Sequence, residues 1–132
     1  MKFMLIMQAP RGTGDWDVMS WPPKAIQAHM AHMEQLYKDL QVAGQLVDAQ
    51  GLAPPQDARI VRATASGKPE VTDGPFAEAK EFLAGYWIVD VDSTERAYEL
   101  AAHASAAPGK AGVPLNMAIE VREVMSAPPV EA

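Results

Sequence analysis

One stretch of the sequence, residues 71–92, constrains the fold more than any other. Its second half, residues 85–92, is rich in aromatic and β-branched residues, and its alternation puts Trp87, Val89 and Val91 on one face. This pattern predicts a β-strand that buries that face in the core. We therefore expect the other elements to be arranged around a principal strand at residues 85–92.

The first half of the stretch predicts a rigid acidic turn beside that strand. Gly74 permits backbone angles that other residues avoid, and Pro75 fixes the φ angle that follows. An aspartate in a turn normally accepts from the amide two residues on, but Pro75 has no N–H. The carboxylate of Asp73 must therefore reach the amides of residues 76–77 or stay available for another group.

Composition indicates one globular domain and argues against several functions. A chain of 132 residues can form a single core, and 48% apolar with 21% charged residues is ordinary. The net charge of −6 argues against a nucleic-acid surface, which needs a basic stripe. No apolar run approaches the roughly 20 residues of a membrane span. The absence of cysteine excludes disulfides and Cys-ligated zinc and fits a cytoplasmic location.

The chain order predicts β-α-β, a hairpin, and then β-α-β. We expect residues 1–125 to form the domain and residues 126–132, which contain a Pro-Pro pair, to form a flexible tail. An acceptor at Asp92 with Glu95 three residues on predicts the start of the second helix. The predicted elements are strands at 2–8, 45–49, 85–92 and 116–124, helices at about 22–44 and 93–107, and a hairpin at 59–72.

This order favours a ferredoxin-like α+β fold. Right-handed crossovers place both helices on one face of an antiparallel sheet, with the hairpin as an insertion. The other face would carry Trp87 or Tyr86 and would be bare in a monomer. Because apolar surfaces of that size normally find a partner, we expect a homodimer.

Two histidines lie on the first predicted helix, whose apolar face combines Ile26, Met30, Met33, Tyr37 and Leu40. At 100° per residue, His29 falls about 40° from the centre of that face and His32 about 100° from it. His29 is therefore expected to point towards the sheet, either as a functional group or as a hydrogen-bonded structural histidine. The i, i+3 spacing could hold a metal, but no third ligand is near, so we predict no metal site.

The acidic turn is the main candidate for chemistry. A carboxylate held beside a pocket is suited to act as a general base, so Asp73, with His29 or Tyr86, is the predicted catalytic set. The alternative is that Asp73 caps a helical turn begun at Pro75. The predicted ligand-binding residues are Glu78, Lys80, Glu81, Arg62 and Arg122. The alternative is that the first three form the solvated side of the turn and that the two arginines pair with carboxylates across strands.

The turn also carries a family resemblance. The run from Thr72 to Glu81, followed by Gly85-Tyr86, resembles the signature of the DGPF branch of the YciI-like (YCII-related) family. The likeness extends to Ala43-Gly44, to residues 51–54 and to residues 119–122. It implies a dimeric α+β barrel with a pocket between sheet and helix, in a family whose reactions are mostly unknown.

The resemblance also bears on the histidines. Members outside this branch resemble acid–base enzymes in which a histidine on the first helix works beside an aspartate. Counted back from Gly44 without gaps, that histidine would fall near Met33, one residue from His32. Neither His29 nor His32 therefore matches the family position.

Two functions follow from these residues. The first is a cofactor-free acid–base enzyme that acts on a small molecule in a pocket of the dimer. The alternative is a non-catalytic module that binds or senses a small ligand, because the DGPF branch resembles proteins encoded beside extracytoplasmic-function sigma factors. A third hypothesis is that the protein is a purely structural dimer.

Overall fold

The structure, a computed structural model, describes residues 1–10, 18–75 and 80–125. Short 3-10 turns lie at Val18–Ser20 and Pro55–Asp57. The helices and strands of these residues, in chain order, are β1 (Lys2–Pro10), α1 (Pro23–Val42), β2 (Leu46–Gly51), β3 (Arg59–Arg62), β4 (Glu70–Asp73), β5 (Glu81–Asp90), α2 (Thr94–Ser105) and β6 (Ile119–Glu123). The tail predicted at 126–132 lies outside the described residues.

Four strands form an antiparallel sheet in the order β2-β5-β1-β6, and β3 and β4 form a separate hairpin. In chain order, α1 connects β1 to β2 and α2 connects β5 to β6. This is the ferredoxin-like α+β arrangement, so that prediction is confirmed. The strand predicted at residues 45–49 is β2, which lies at one edge of this sheet. Neither helix of the described chain is both long and apolar enough to cross a membrane.

The core lies between one face of the sheet and both helices. Trp87 and Val89 of β5 are buried there opposite Leu5 and Phe3 of β1, as the alternation predicts. Val91, just after β5, is also buried there, and the helices contribute Leu36 and Leu40 from α1 and Ala97, Leu100, Ala101 and Ala104 from α2. Small alanines on α2 let that helix lie close to the sheet.

The buried face of α1 differs from the predicted one. The helix begins after Pro22, and Gly44, at φ +69°, follows its end as predicted. Met30 and Tyr37, predicted to face the core, are 48% and 38% exposed. The physical reason is that both side chains line a cavity that is open to the surface.

The start of α2 also corrects the sequence prediction. The residue that caps the helix is Ser93, whose hydroxyl accepts from the amide of Arg96 at 3.1 Å. Asp92 is one residue too early to be the cap. Ser93 has the extended backbone that a capping residue needs, at φ −147° and ψ 155°.

The second face of the sheet is not covered by the helices. Strand pairing puts Tyr86 beside Ile6 and Ile88 beside Met4 on the face opposite Trp87. These four side chains are only partly buried. Tyr86, and not Trp87, is therefore the aromatic residue on the open face.

Candidate functional site

A cavity of about 870 Å³ lies between the middle of α1, at residues 29–37, and the end of the sheet formed by β1, β2 and β5. Ligand sites in proteins have volumes of roughly 300–1,000 Å³, so it can hold a small molecule. Its wall is dominated by thioethers and aromatic rings, from Met7, Met19, Met30, Met33, Met117, Trp21, Tyr37, Phe82 and Trp87. Flexible, polarizable methionines favour contact with flat apolar ligands.

A close backbone approach shapes one wall of this cavity. Gly85 on β5 pairs with Gly51 on β2 and with Met7 on β1, next to a β-bulge. A Cβ at Gly85 would lie 2.7 Å from the carbonyl oxygen of Gln50 and 3.0 Å from the Met7 methyl carbon. Only glycine therefore fits at this position of the strand.

Helix α1 places two polar side chains in the cavity wall, the exposed Glu34 and the buried His29. The Nδ1–H of His29 donates to the carbonyl oxygen of Pro108 at 3.0 Å. The ring of Trp21 meets the imidazole edge-on, with 5.4 Å between centroids. Because Nδ1 is the protonated nitrogen, Nε2 carries the lone pair in the neutral ring, and no described residue bonds it. His29 is therefore held as an acceptor or base.

His32 has a different environment. Its Nε2–H donates to the carbonyl oxygen of His103 at 2.8 Å, and the two imidazole rings lie 4.8 Å apart. His32 is not among the residues that line the cavity. In the described part of the chain, no three His, Cys, Asp or Glu side chains come together as metal ligands would.

Tyr86 borders the cavity, but its side chain lies on the open face of the sheet and its hydroxyl bonds a residue outside the cavity. The hydroxyl donates to Oδ2 of Asp48 at 3.0 Å, and Asp48 does not line the cavity. This hydrogen bond raises the pKa of Tyr86, with further increases from desolvation and from the negative charge of Asp48. Tyr86 is therefore held in its neutral form.

Asp73 is at the surface of the β3–β4 hairpin. Its side chain is 95% exposed, and Oδ1 lies 3.7 Å from Nε of Arg59, its neighbour across the hairpin. The amide of Gly74 donates to the carbonyl oxygen of Ala58 at 2.9 Å, so this end of the hairpin is held by the backbone. Asp73 is not among the residues lining the cavity, and the structure does not bring it together with His29 or Tyr86.

The predicted ligand-binding residues also lie away from the cavity. Lys80, Arg62 and Arg122 are exposed and absent from its wall. Glu81 is exposed and borders a smaller groove of about 420 Å³, together with Gln8 and Glu120. Glu78 lies outside the described residues.

Sequence reasoning missed one buried polar atom, in a residue that lines the cavity. Nε1 of Trp87 is buried and, within the described residues, meets no hydrogen-bond acceptor. An unsatisfied buried donor costs about 1–3 kcal/mol. The alternation of β5 did indicate that Trp87 is buried, but not that it borders a cavity.

These features define the chain as a ferredoxin-like α+β domain with a cavity between its sheet and its first helix. The YCII-related domain matches residues 1–125, so the chain belongs to the YCII-related family. The chain is also similar to an uncharacterized protein of Rhizobium meliloti (strain 1021), with 32% identity over 82 residues. That alignment covers 62% of this chain and 65% of the relative.

Proposed function

We propose that this chain binds a small, largely apolar molecule in the cavity and acts on it by acid–base chemistry without a cofactor. The observation that carries the proposal is the placement of His29. Its imidazole lies in the wall of a ligand-sized cavity, and the Pro108 carbonyl fixes its tautomer and direction. A general base can accept a proton only if its ring nitrogen points at the substrate, and this hydrogen bond fixes the direction of the His29 ring.

In this proposal, Nε2 of His29 accepts a proton from the bound molecule and returns it in a later step. The apolar wall excludes water and so strengthens each polar contact made inside it. Asp73, although predicted with this set, lies on the hairpin surface, so the proposed chemistry uses His29 without that carboxylate.

The second candidate is a non-catalytic module that binds or senses a small ligand in the same cavity. It is favoured by the partner of His29, which is a backbone carbonyl and not a carboxylate. A backbone carbonyl orients the ring but carries no full charge to stabilise an imidazolium. The resemblance to proteins encoded beside extracytoplasmic-function sigma factors fits this candidate.

The two candidates are separated by a ligand screen followed by an exchange assay. Compounds that raise the melting temperature identify ligands, because binding to the folded state stabilises it. Each ligand is then incubated with the protein in D₂O, and deuterium incorporation at its acidic C–H is followed by NMR. Exchange that depends on His29 supports the enzyme, whereas binding without exchange or turnover supports the sensing module.

The substitutions for this test are His29→Gln and, as a control on the same helix, His32→Gln. We expect His29→Gln to slow exchange by roughly a hundredfold or more, since a general base contributes about 10²–10⁴-fold. His32→Gln and Asp73→Asn should leave exchange unchanged because neither residue lines the cavity. Equal loss in His29→Gln and His32→Gln would contradict the role of His29.

Three further statements belong to the proposal. The run from Thr72 to Glu81 supports membership of the DGPF branch. The open sheet face with Tyr86 and Ile88 supports a homodimer, in which two sheets would form the dimeric α+β barrel that the resemblance implies. The cytoplasmic location stays a prediction.

A further inference from the structure

The open face of the sheet is apolar in its middle and carries opposite charges at its two edges. Its middle is formed by β1 and β5, with the side chains of Met4, Ile6, Tyr86 and Ile88. Asp48 on β2 pairs with Ile88 and therefore shares this face at one edge. Arg122 on β6 pairs with Met4 and shares the face at the opposite edge.

The carboxylate at one edge is held in place, and the guanidinium at the other is exposed. Asp48 accepts from the Tyr86 hydroxyl at 3.0 Å and from the Gln50 side-chain amide at 3.2 Å. Arg122 is exposed and forms no ion pair with any described residue. Three strand spacings separate Arg122 from Asp48 within one chain, a distance of about 14 Å that excludes direct contact. The two groups can therefore meet only between chains.

A two-fold axis parallel to the strands makes this face complementary to itself. When two sheets face each other across such an axis, β6 of one chain lies opposite β2 of the other, and β1 lies opposite β5. Arg122 then faces the partner's Asp48, and Lys2 faces the partner's Asp90, because each pair occupies the same row of the sheet. Facing sheets pack about 10 Å apart, a gap that arginine and aspartate side chains can bridge together.

An axis across the strands matches the charges less well. It would place Arg122 opposite the partner's Glu120, which lies in the next row of the same strand. It would also bring Lys2 and Asp90 against the row of Gln8 and Leu83, which offers no opposite charge. The axis parallel to the strands is therefore the better match, because it gives both charged rows an opposite charge.

We propose that the open face docks a second copy of this chain about an axis parallel to the strands, so that Arg122 of each chain forms an ion pair with Asp48 of the other. This inference rests on the proposed homodimer and specifies which residues meet in it. Asp48 then has two roles, as the acceptor for Tyr86 of its own chain and as the counter-ion of the partner's Arg122.

A charge swap tests the pairing. Arg122→Asp and Asp48→Arg should each raise the dissociation constant of the dimer at least about tenfold, because like charges then face each other twice. Both changes in one chain should restore it to within about threefold of the unmodified value, since the two sites are in contact. Arg62→Asp, on the exposed hairpin strand β3, changes the net charge by the same amount as Arg122→Asp and is the control. It should leave dimerisation, measured by analytical ultracentrifugation, unchanged.

Cross-linking locates the contact without adding charge, and it decides the matter if a swapped variant does not fold. The chain has no cysteine, so Asp48→Cys and Arg122→Cys can be prepared separately and mixed to exchange subunits. A bis-maleimide shorter than the roughly 10 Å between facing sheets should join the two variants into a covalent dimer. Neither variant alone should cross-link, because the two copies of one position lie at opposite edges of the interface.

The outcomes separate this pairing from the homodimer itself. Rescue of Arg122→Asp by Glu120→Arg and not by Asp48→Arg would overturn the pairing and favour the axis across the strands. A dimer with neither rescue nor cross-linking would also overturn the pairing but leave the homodimer intact. A monomeric unmodified protein would overturn both.

Discussion

The hydrogen bond from Tyr86 to Asp48 determines how this tyrosine responds to pH. The bond, 3.0 Å long, favours the neutral phenol and raises the pKa of Tyr86 in the folded protein. Its contribution to stability is therefore complete below the unfolded pKa of about 10 and is lost as pH rises through the higher folded pKa. The contribution does not change at neutral pH.

We predict that Asp48→Asn lowers the pKa of Tyr86 towards its ordinary value. Asparagine keeps an acceptor oxygen but removes the negative charge that disfavours the phenolate. Absorbance of the phenolate during an alkaline titration measures the change, and Tyr86→Phe identifies which transition belongs to Tyr86. Tyr98→Phe, at an exposed position on α2, serves as the control and should leave that transition in place. An unchanged titration in Asp48→Asn would contradict this account.

At the scale of residues, the sequence predicted burial better than it predicted neighbours. Helical periodicity was enough to turn His29 inwards, because that property depends only on the spacing along α1. The position of Asp73 depends on how the β3–β4 hairpin projects from the sheet, and no local pattern encodes that direction. The acceptor for His29, the Pro108 carbonyl, lies 79 positions away in sequence and carries no side-chain signal.

Among the secondary-structure elements, α2 allows a direct comparison of the predicted and observed caps. We expect Ser93→Ala to lower the free energy of unfolding by about 1 kcal/mol, because it removes the acceptor for the Arg96 amide. Asp92→Ala, at the residue predicted as the cap, should cost less than about 0.5 kcal/mol. Urea denaturation of the two variants measures both values. A larger loss in Asp92→Ala would reverse the assignment.

The pairing of β2 with β5 offers a second matched test. A methyl group at Gly85 would meet the Gln50 carbonyl oxygen at 2.7 Å, whereas one at Gly51 would meet nothing within 4 Å. We predict that Gly85→Ala destabilises the fold by about 1–3 kcal/mol, since backbone cannot move aside as a flexible side chain can. Gly51→Ala should change the unfolding free energy by less than about 0.5 kcal/mol. Similar denaturation midpoints for the two variants would contradict the close approach.

At the scale of elements, the types and order followed from sequence, while the exact face of α1 did not. Hydrophobic periodicity predicts which side chains of a helix face apolar surroundings, but it does not tell whether those surroundings are the core or a cavity. Met30 and Tyr37 satisfied the pattern because they line an apolar cavity, although they are more exposed than Leu36 and Leu40. For the same reason, the cavity could not be predicted from the pattern of α1 alone.

For the whole molecule, the open face of the sheet leads to a prediction about assembly. We expect a homodimer at micromolar concentration that buries more than about 1,000 Å² in total. Ile88→Lys, which places a charge on the open face, should shift the protein to monomer in light scattering. Val61→Lys, at an exposed apolar residue of the hairpin, is the control and should leave the mass unchanged.

A monomeric mass for the unmodified protein would contradict this assembly. Dissociation by Val61→Lys but not by Ile88→Lys would move the interface to the hairpin. The overall topology was predictable because crossover handedness leaves few arrangements for this order of elements. The assembly was harder to predict, because a single chain shows only that one face of the sheet is left uncovered, the face with Met4, Ile6, Tyr86 and Ile88.

The methionines of the cavity have a chemical consequence of their own. Five of the eight methionines line this one space, and the chain has no cysteine, so oxidisable sulfur is concentrated at the candidate site. Met19 and Met30, at 73% and 48% exposure, are the most accessible of the five. Peroxide would convert these thioethers to polar sulfoxides, and enzymatic reduction would reverse the change. Oxidative stress is therefore expected to act on this protein through its cavity.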